Sequence, residues 1–237
     1  MAIRAILFDL GNTLIDYYTS NEFPKVLRRC LGACTAALGW SEDHSRDEGV
    51  FERALLLNRE RADFAVRPLA DRLQELFGPY ESLDDATVRA LTIAFLRPIY
   101  ATARLNPQAA SALESLRDLG IKTAIVSNTP WGSPASEWRQ ELARHGLLDR
   151  VDATVFCVDV GWRKPHPAPF ERALTLLDVI AEEALFVGDD PRWDVLGAKN
   201  AGMRPVLLQP HPTNSLPDDL IIRNLGDIVA LATDAFT

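Results

Sequence analysis

Long apolar runs are missing from this chain, and no stretch approaches the roughly 18 residues that a membrane-spanning helix needs. Cysteine is scarce and odd in number, three in 237 residues, which excludes a complete disulfide framework. Positive charge is in deficit. The formal net charge is −8 and the pI is near 5.1, which argues against nucleic acid or an anionic membrane surface as a main partner. Internal repeats and low-complexity segments are absent too. Oligomeric state is not encoded in any pattern found here. Met1-Ala2-Ile3-Arg4 runs directly into an apolar segment, leaving no room for a signal peptide, so the expected location is cytoplasmic.

What is present is an ordinary globular composition, 47% hydrophobic and 24% charged, in a chain long enough for one large domain or a core with an insertion. Cys30 and Cys34 are four residues apart and share a helix face. No third ligand stands nearby to complete a zinc site, so packing is the better reading. Cys157, in the apolar run 155–158, is expected in the core.

Five short apolar runs rich in β-branched residues read as buried parallel strands, at 5–10, 122–127, 153–158, 184–188 and 205–208. Helical patterns at 135–145, 167–178 and 194–201 separate the last four and another at 107–119 precedes them, three of the helices being stopped by Gly120, Gly146 and Gly202. Strand and helix in alternation predict an α/β fold, a Rossmann-like parallel sheet flanked by helices on both faces. Residues 17–100 break the rhythm. They show helical windows near 22–39, 43–61, 68–77 and 84–97, punctuated by Gly39, Pro68, Gly78-Pro79 and Pro98, with no convincing strand. This is the pattern of an inserted helical domain. A polar loop over 210–219, a last strand at 220–222 and a helix near 226–234 complete the chain.

Asp9, Ser127 and Asp189 each fall at or just after the end of a predicted strand. If those strands are neighbours, the three side chains meet in one crevice at the carboxyl edge of the sheet. Singly, each has a plainer reading: Ser127-Asn128 as a strand-ending turn, Lys164 as a solvated loop lysine, Asp190 as the cap of the turn after it.

The segments Asp9-Leu10-Gly11-Asn12-Thr13, Ile125-Val126-Ser127-Asn128, Arg163-Lys164-Pro165-His166-Pro167 and Gly188-Asp189-Asp190-Pro191-Arg192-Trp193-Asp194 together resemble the four motifs of the haloacid dehalogenase-like (HAD) superfamily. The resemblance covers residues 1–16 and about 100–237, in family order. It implies a HAD core of 1–16 and 100–237 and a helical cap of 17–99. It also implies a Mg²⁺-dependent phosphatase acting on a small-molecule phosphate ester through an aspartyl-phosphate on Asp9. In that scheme Asp9, the carbonyl of Gly11, Asp189 and Asp194 hold the metal. Ser127 and the Asn128 amide bind the phosphoryl oxygens, and Lys164 offsets their charge and that of Asp9. A carboxylate attacking phosphorus faces anion–anion repulsion, so positioning and neutralisation carry most of the catalysis.

The pattern departs from the family at Gly11, where its phosphatases usually carry a second aspartate. General acid–base help of that kind is worth roughly 10²–10⁴-fold. Tyr17, Glu22, Arg61 and Asp63 are candidate substitutes by position alone. The same gap keeps a second reading open, a weak or inactive HAD-fold protein that binds a phosphorylated ligand or a protein partner. A phosphomutase, a phosphonatase or a 2-haloacid dehalogenase fits less well. The first needs the missing acid, the second a cap lysine in a region holding only Lys25, and the third has no use for an acidic metal loop. Trp131, Trp162 and Trp193 each lie beside a motif, and either dock the cap or substrate or simply pack their loops.

Overall fold

The computed structural model describes residues 2–19, 21–40, 44–57, 63–80, 82–210 and 220–234. Strand β1 (Ala5–Phe8) is followed by a tight turn and the short β2 (Ile15–Asp16). Helices α1 (Phe23–Ala37), α2 (His44–Leu57), α3 (Leu69–Phe77) and α4 (Asp85–Tyr100) come next, then β3 (Arg104–Leu105) and α5 (Ala109–Asp118). The rest alternates: β4 (Lys122–Ser127), α6 (Ala135–Arg144), β5 (Ala153–Phe156), α7 (Cys157–Val160), α8 (Ala168–Leu177), β6 (Ala184–Gly188), α9 (Leu196–Asn200), β7 (Arg204–Leu208), β8 (Leu220–Ile222) and α10 (Asp227–Asp234).

Six strands form one sheet in the order β5-β4-β1-β6-β7-β8, every pair parallel. The order reverses on either side of β1, so the crevice at the carboxyl end of β1 is the place where such sheets bind ligands. Period-two alternation sets the two faces. Ala5 and Leu7 point into the layer holding Phe170 of α8 and Ala198 of α9, whereas Ile6 and Phe8 point into the layer of α5, α6 and α10. Phe170 and Phe186 meet edge to face at 4.8 Å. Burying an aromatic of this size stabilises by about 1.5–3 kcal/mol.

Helices α1–α4 form a cap over the sheet's carboxyl edge. The cap is rooted in the antiparallel pair β2–β3, where Ile15 faces Leu105. These two-residue strands are too short to leave a periodic signal, and the sequence reading missed them. Cys30 and Cys34 are buried free thiols on the inner face of α1, and burial pushes both thiols up, Cys30 to about 12. Packing is their role.

Three expectations need correcting. Strand β1 ends at Phe8, not at 10, because the Leu14 and Ile15 amides close a tight turn on the Leu10 carbonyl. Strand β5 ends at Phe156, not at 158, because Asp159 Oδ2 accepts the Phe156 amide at 2.8 Å and turns Cys157–Val160 into a helical turn. Helix α4 does not stop before Pro98 but runs through it to Tyr100. Pro98 forfeits one backbone bond, but buried Ile99 and the Ala101 amide on the Arg97 carbonyl (2.9 Å) hold the final turn. The expected loop at 211–219 lies outside the described residues, as does Arg61.

Candidate active site

The turn after β1 places the first group. The Asp9 amide bonds the Val187 carbonyl of β6 at 2.8 Å, which continues the ladder and fixes the carboxylate at the strand end. Asn12 then takes a left-handed φ of 56°, and the Leu14 and Ile15 amides return to the Leu10 carbonyl, both at 3.0 Å. This closes a compact loop around Gly11. From β4, Ser127 Oγ donates to Asp9 Oδ1 at 3.1 Å. From the loop before α8, Lys164 Nζ donates to the same Oδ1 at 2.5 Å and to Asp194 Oδ1 at 2.6 Å. Among the described residues no donor reaches Asp9 Oδ2. One oxygen of Asp9 is thus held by two donors and the other by none of the described residues.

Lys164 is only 2% exposed. Its backbone is gripped on both sides by the Asn128 side chain, which accepts from the Lys164 amide at 2.9 Å and donates to the Lys164 carbonyl at 3.3 Å. The Lys164–Pro165 peptide is cis. Asp194 Oδ2 accepts the Asp190 amide at 3.1 Å. Gly188 is required beside it, because a Cβ there would overlap the Asp194 carboxylate. Asp190 is the cap of its turn, its Oδ1 accepting from the Arg192 and Trp193 amides at 2.7 and 3.0 Å.

The charges do not balance. Oxygens of Asp9, Asp189 and Asp194 lie within 4.8 Å of one another, and Lys164 is the one ammonium among them. Burial lowers the Lys164 pKa, but Asp194 and Asp9 outweigh it and keep the ammonium charged. Burial, then the charges of Asp9 and Asp194, push Asp189 up to about 8. Burial also raises Asp194, to about 7, against the pull of Lys164. The upward shift of Asp194 sits oddly with its ion pair until the ratio is considered: one lysine cannot neutralise three carboxylates. An all-oxygen donor set in a field short of positive charge fits a hard divalent cation.

These groups line the floor of a cavity of about 280 Å³. Its cap side carries Tyr17, Tyr18, Ile99, Arg163 and Trp193. Of the suggested substitutes for the missing acid that lie among the described residues, only Tyr17 lines this cavity. Its hydroxyl is buried without a hydrogen-bond partner among the described residues, and burial, with Glu141 nearby, raises its pKa so that the proton stays on. Glu22 instead accepts from the Thr19 amide and hydroxyl at 2.8 and 2.9 Å, and exposed Asp63 pairs with Arg67 at 2.9 Å. Lys25 lies exposed on α1, away from the cavity.

The tryptophans divide. Trp131 is buried against Phe95 of α4, with ring centroids 5.2 Å apart, and Trp193 meets Phe64 of the cap edge to face at 6.2 Å. Both dock the cap. Trp162, an exposed residue, stacks on His166 and meets the cap only through its backbone, bridging Ala65. Sequence reasoning passed over Arg163 and Tyr18 as cavity residues, and over the Asn128 side chain as a clamp. Arg163 stood beside Lys164 in the same motif, which was the one available signal.

The profile of the haloacid dehalogenase-like hydrolases matches residues 3–202. A glyceraldehyde 3-phosphate phosphatase from Pyrococcus abyssi is 30% identical over 204 residues, covering 86% of this chain and 80% of that protein. A phosphoserine phosphatase from Thermus thermophilus is 33% identical over 233 residues, covering 91% and 86%. Among solved structures, a HAD phosphatase from Thermococcus onnurineus superposes with a TM-score of 0.68 at 26% identity, covering 97% of both chains.

Proposed function

The chain belongs to the haloacid dehalogenase-like hydrolases, and from that premise we propose that it is a Mg²⁺-dependent phosphatase of small phosphorylated metabolites, with Asp9 as nucleophile. The observation that carries this reading is the asymmetry of Asp9, a cavity-lining residue whose Oδ1 takes both Ser127 and Lys164 while Oδ2 has no donor among the described residues. The two phosphatase relatives add weight from outside the geometry.

In this reading Asp9, Asp189 and Asp194, with the Gly11 carbonyl, hold the metal, which when bound would offset the charge of the carboxylates and of the phosphoryl oxygens. Asp9 Oδ2 forms a bond to phosphorus as the ester P–O bond breaks and the leaving oxygen departs as an alkoxide, which takes its proton from water because Gly11 supplies none. Water then cleaves the acyl phosphate, releasing inorganic phosphate and restoring Asp9. Ser127, the Asn128 amide and Lys164 hold the phosphoryl oxygens throughout. Because these groups are fixed before substrate arrives, little reorganisation is needed at the transition state. The cap (17–99) over the core (1–16 and 100–237) limits water and shapes the substrate pocket.

Gly11 favours the second reading, a binder with little turnover. Phosphate release from p-nitrophenyl phosphate decides, because the phenolate scarcely needs an acid. Metal-dependent release by the wild type, lost in Asp9→Asn and on chelation, supports the phosphatase. No release by a folded wild type that still binds metal leaves the binder.

A further inference from the structure

The cavity has a second charged feature that the phosphoryl chemistry does not use. Arg163 lines it on the cap side, and among the described residues its guanidinium makes no ion pair and no hydrogen bond. Its Nε is buried without a partner. Three other partly buried arginines pair with a carboxylate, Arg67 with Asp63, Arg139 with Asp159 and Arg150 with Glu114, whereas Arg53 and Arg72 each reach only a backbone carbonyl. Leaving a half-buried guanidinium unmatched is costly unless something else pairs with it.

Arg163 is also held in position. Its amide bonds the Phe64 carbonyl of the cap at 2.9 Å, and its guanidinium sits 5.9 Å from the centre of the Trp193 ring. Asp190 lines the same cavity, yet its Oδ1 is already committed to two backbone amides. Behind this wall lies Arg72, bonded to the Leu57 carbonyl at 3.1 Å and stacked over Trp131, with its own Nε unpartnered. Burial, and then the charges of Arg163 and Arg67, bring Arg72 down to about 10. Arg72 therefore feels the positive charge of Arg163. Tyr18 stands on the same wall, its hydroxyl kept protonated mainly by burial.

We propose that Arg163 is a specificity residue that pairs with a second anionic group of the substrate, so that the preferred substrate is a phosphate monoester bearing a carboxylate or a second phosphate. This rests on the phosphatase reading of the same site. A planar guanidinium suits either anion, since both accept its paired N–H donors. With the phosphoryl group over Asp9 and Lys164, the second anion reaches the cap side of a small cavity, which limits the class to compact molecules.

The test compares matched substrates in wild type, Arg163→Gln and Arg163→Lys. One pair is 3-phosphoglycerate and glycerol 3-phosphate, which differ in the carboxylate. The other is fructose 1,6-bisphosphate and fructose 6-phosphate, which differ in the second phosphate. The wild type is expected to favour the doubly anionic member of at least one pair by about ten- to hundredfold in kcat/KM, mostly through KM, as a charged hydrogen bond implies. The pair that shows the preference identifies the anion. Arg163→Gln is expected to erase it, and Arg163→Lys to restore part. No preference in the wild type, or an equal loss on both members in Arg163→Gln, overturns the proposal and reduces Arg163 to packing on Trp193. If even p-nitrophenyl phosphate is not cleaved, the phosphatase reading fails separately, and calorimetric binding of the same pairs still decides the role of Arg163.

Discussion

A side-chain carbon built on Gly11 would meet nothing closer than the Tyr17 ring, whose Cδ2 lies 4.0 Å away. The backbone there is not left-handed, so a larger residue meets no conformational penalty. Gly11→Asp should therefore fold and supply the missing acid. Hydrolysis of alkyl phosphates is expected to rise by roughly 10–10²-fold, with little gain on p-nitrophenyl phosphate. An equal change on both substrate types would show that leaving-group protonation is not what Gly11 lacks.

Asp189 predicts how the metal-free protein responds to pH. Its carboxyl rises from 3.8 to about 8 in the fold, first through burial and then through Asp9 and Asp194. A carboxyl with a raised folded pKa binds its proton more tightly in the native state. Its stabilising effect is full below pH 4 and is lost as pH climbs towards 8. In chelator, the thermal midpoint of the wild type should fall over that window relative to Asp189→Asn. Mg²⁺ should restore the wild type alone. Parallel pH profiles for the two proteins would contradict this.

Lys164→Met leaves Asp9 and Asp194 facing each other in a buried site with no ammonium. Removing one partner of a buried ion network costs about 3–5 kcal/mol, and the loss should be larger at pH 8 than at pH 5, where the carboxyls can take up protons. Turnover should fall by roughly 10²–10³-fold or more. Urea unfolding at both pH values, read beside the kinetics, separates the two effects.

Trp131 ties the core to Phe95 of the cap, and it sits in a turn where Gly132, at φ 67°, lies so close to the Arg67 carbonyl that a Cβ would overlap it. Trp131→Ala should cost about 3–5 kcal/mol and raise KM by loosening the cap. Unchanged KM in a folded variant would mean that the Trp193–Phe64 contact suffices to seat the cap.

The alternation of strand and helix, the helical insert and the strand-end positions of Asp9, Ser127 and Asp189 were all legible. Each is a local signal, written in period-two or 3.6-residue patterns and in turn residues. Asp190 as a turn cap and Cys30 and Cys34 as packing were legible for the same reason, since their partners are close in sequence or their spacing is helical.

Other features lie beyond any local pattern. Lys164 and Asp9 are 155 residues apart, Asn128 and Lys164 are 36 apart, and neither pairing follows from the residues that flank it. Trp131, Trp162 and Trp193 read alike, yet two set their rings against cap aromatics, while Trp162 bridges Ala65 of the cap by backbone alone and stacks its ring on His166. Arg163 was visible beside Lys164, but its lack of a counter-charge exists only once the chain has closed around it. Sequence fixes which chemistry each residue can offer, since that is a property of the side chain. Tertiary structure decides which charges are satisfied and which are left for a ligand, because electrostatic balance depends on distance through space and on exclusion of water.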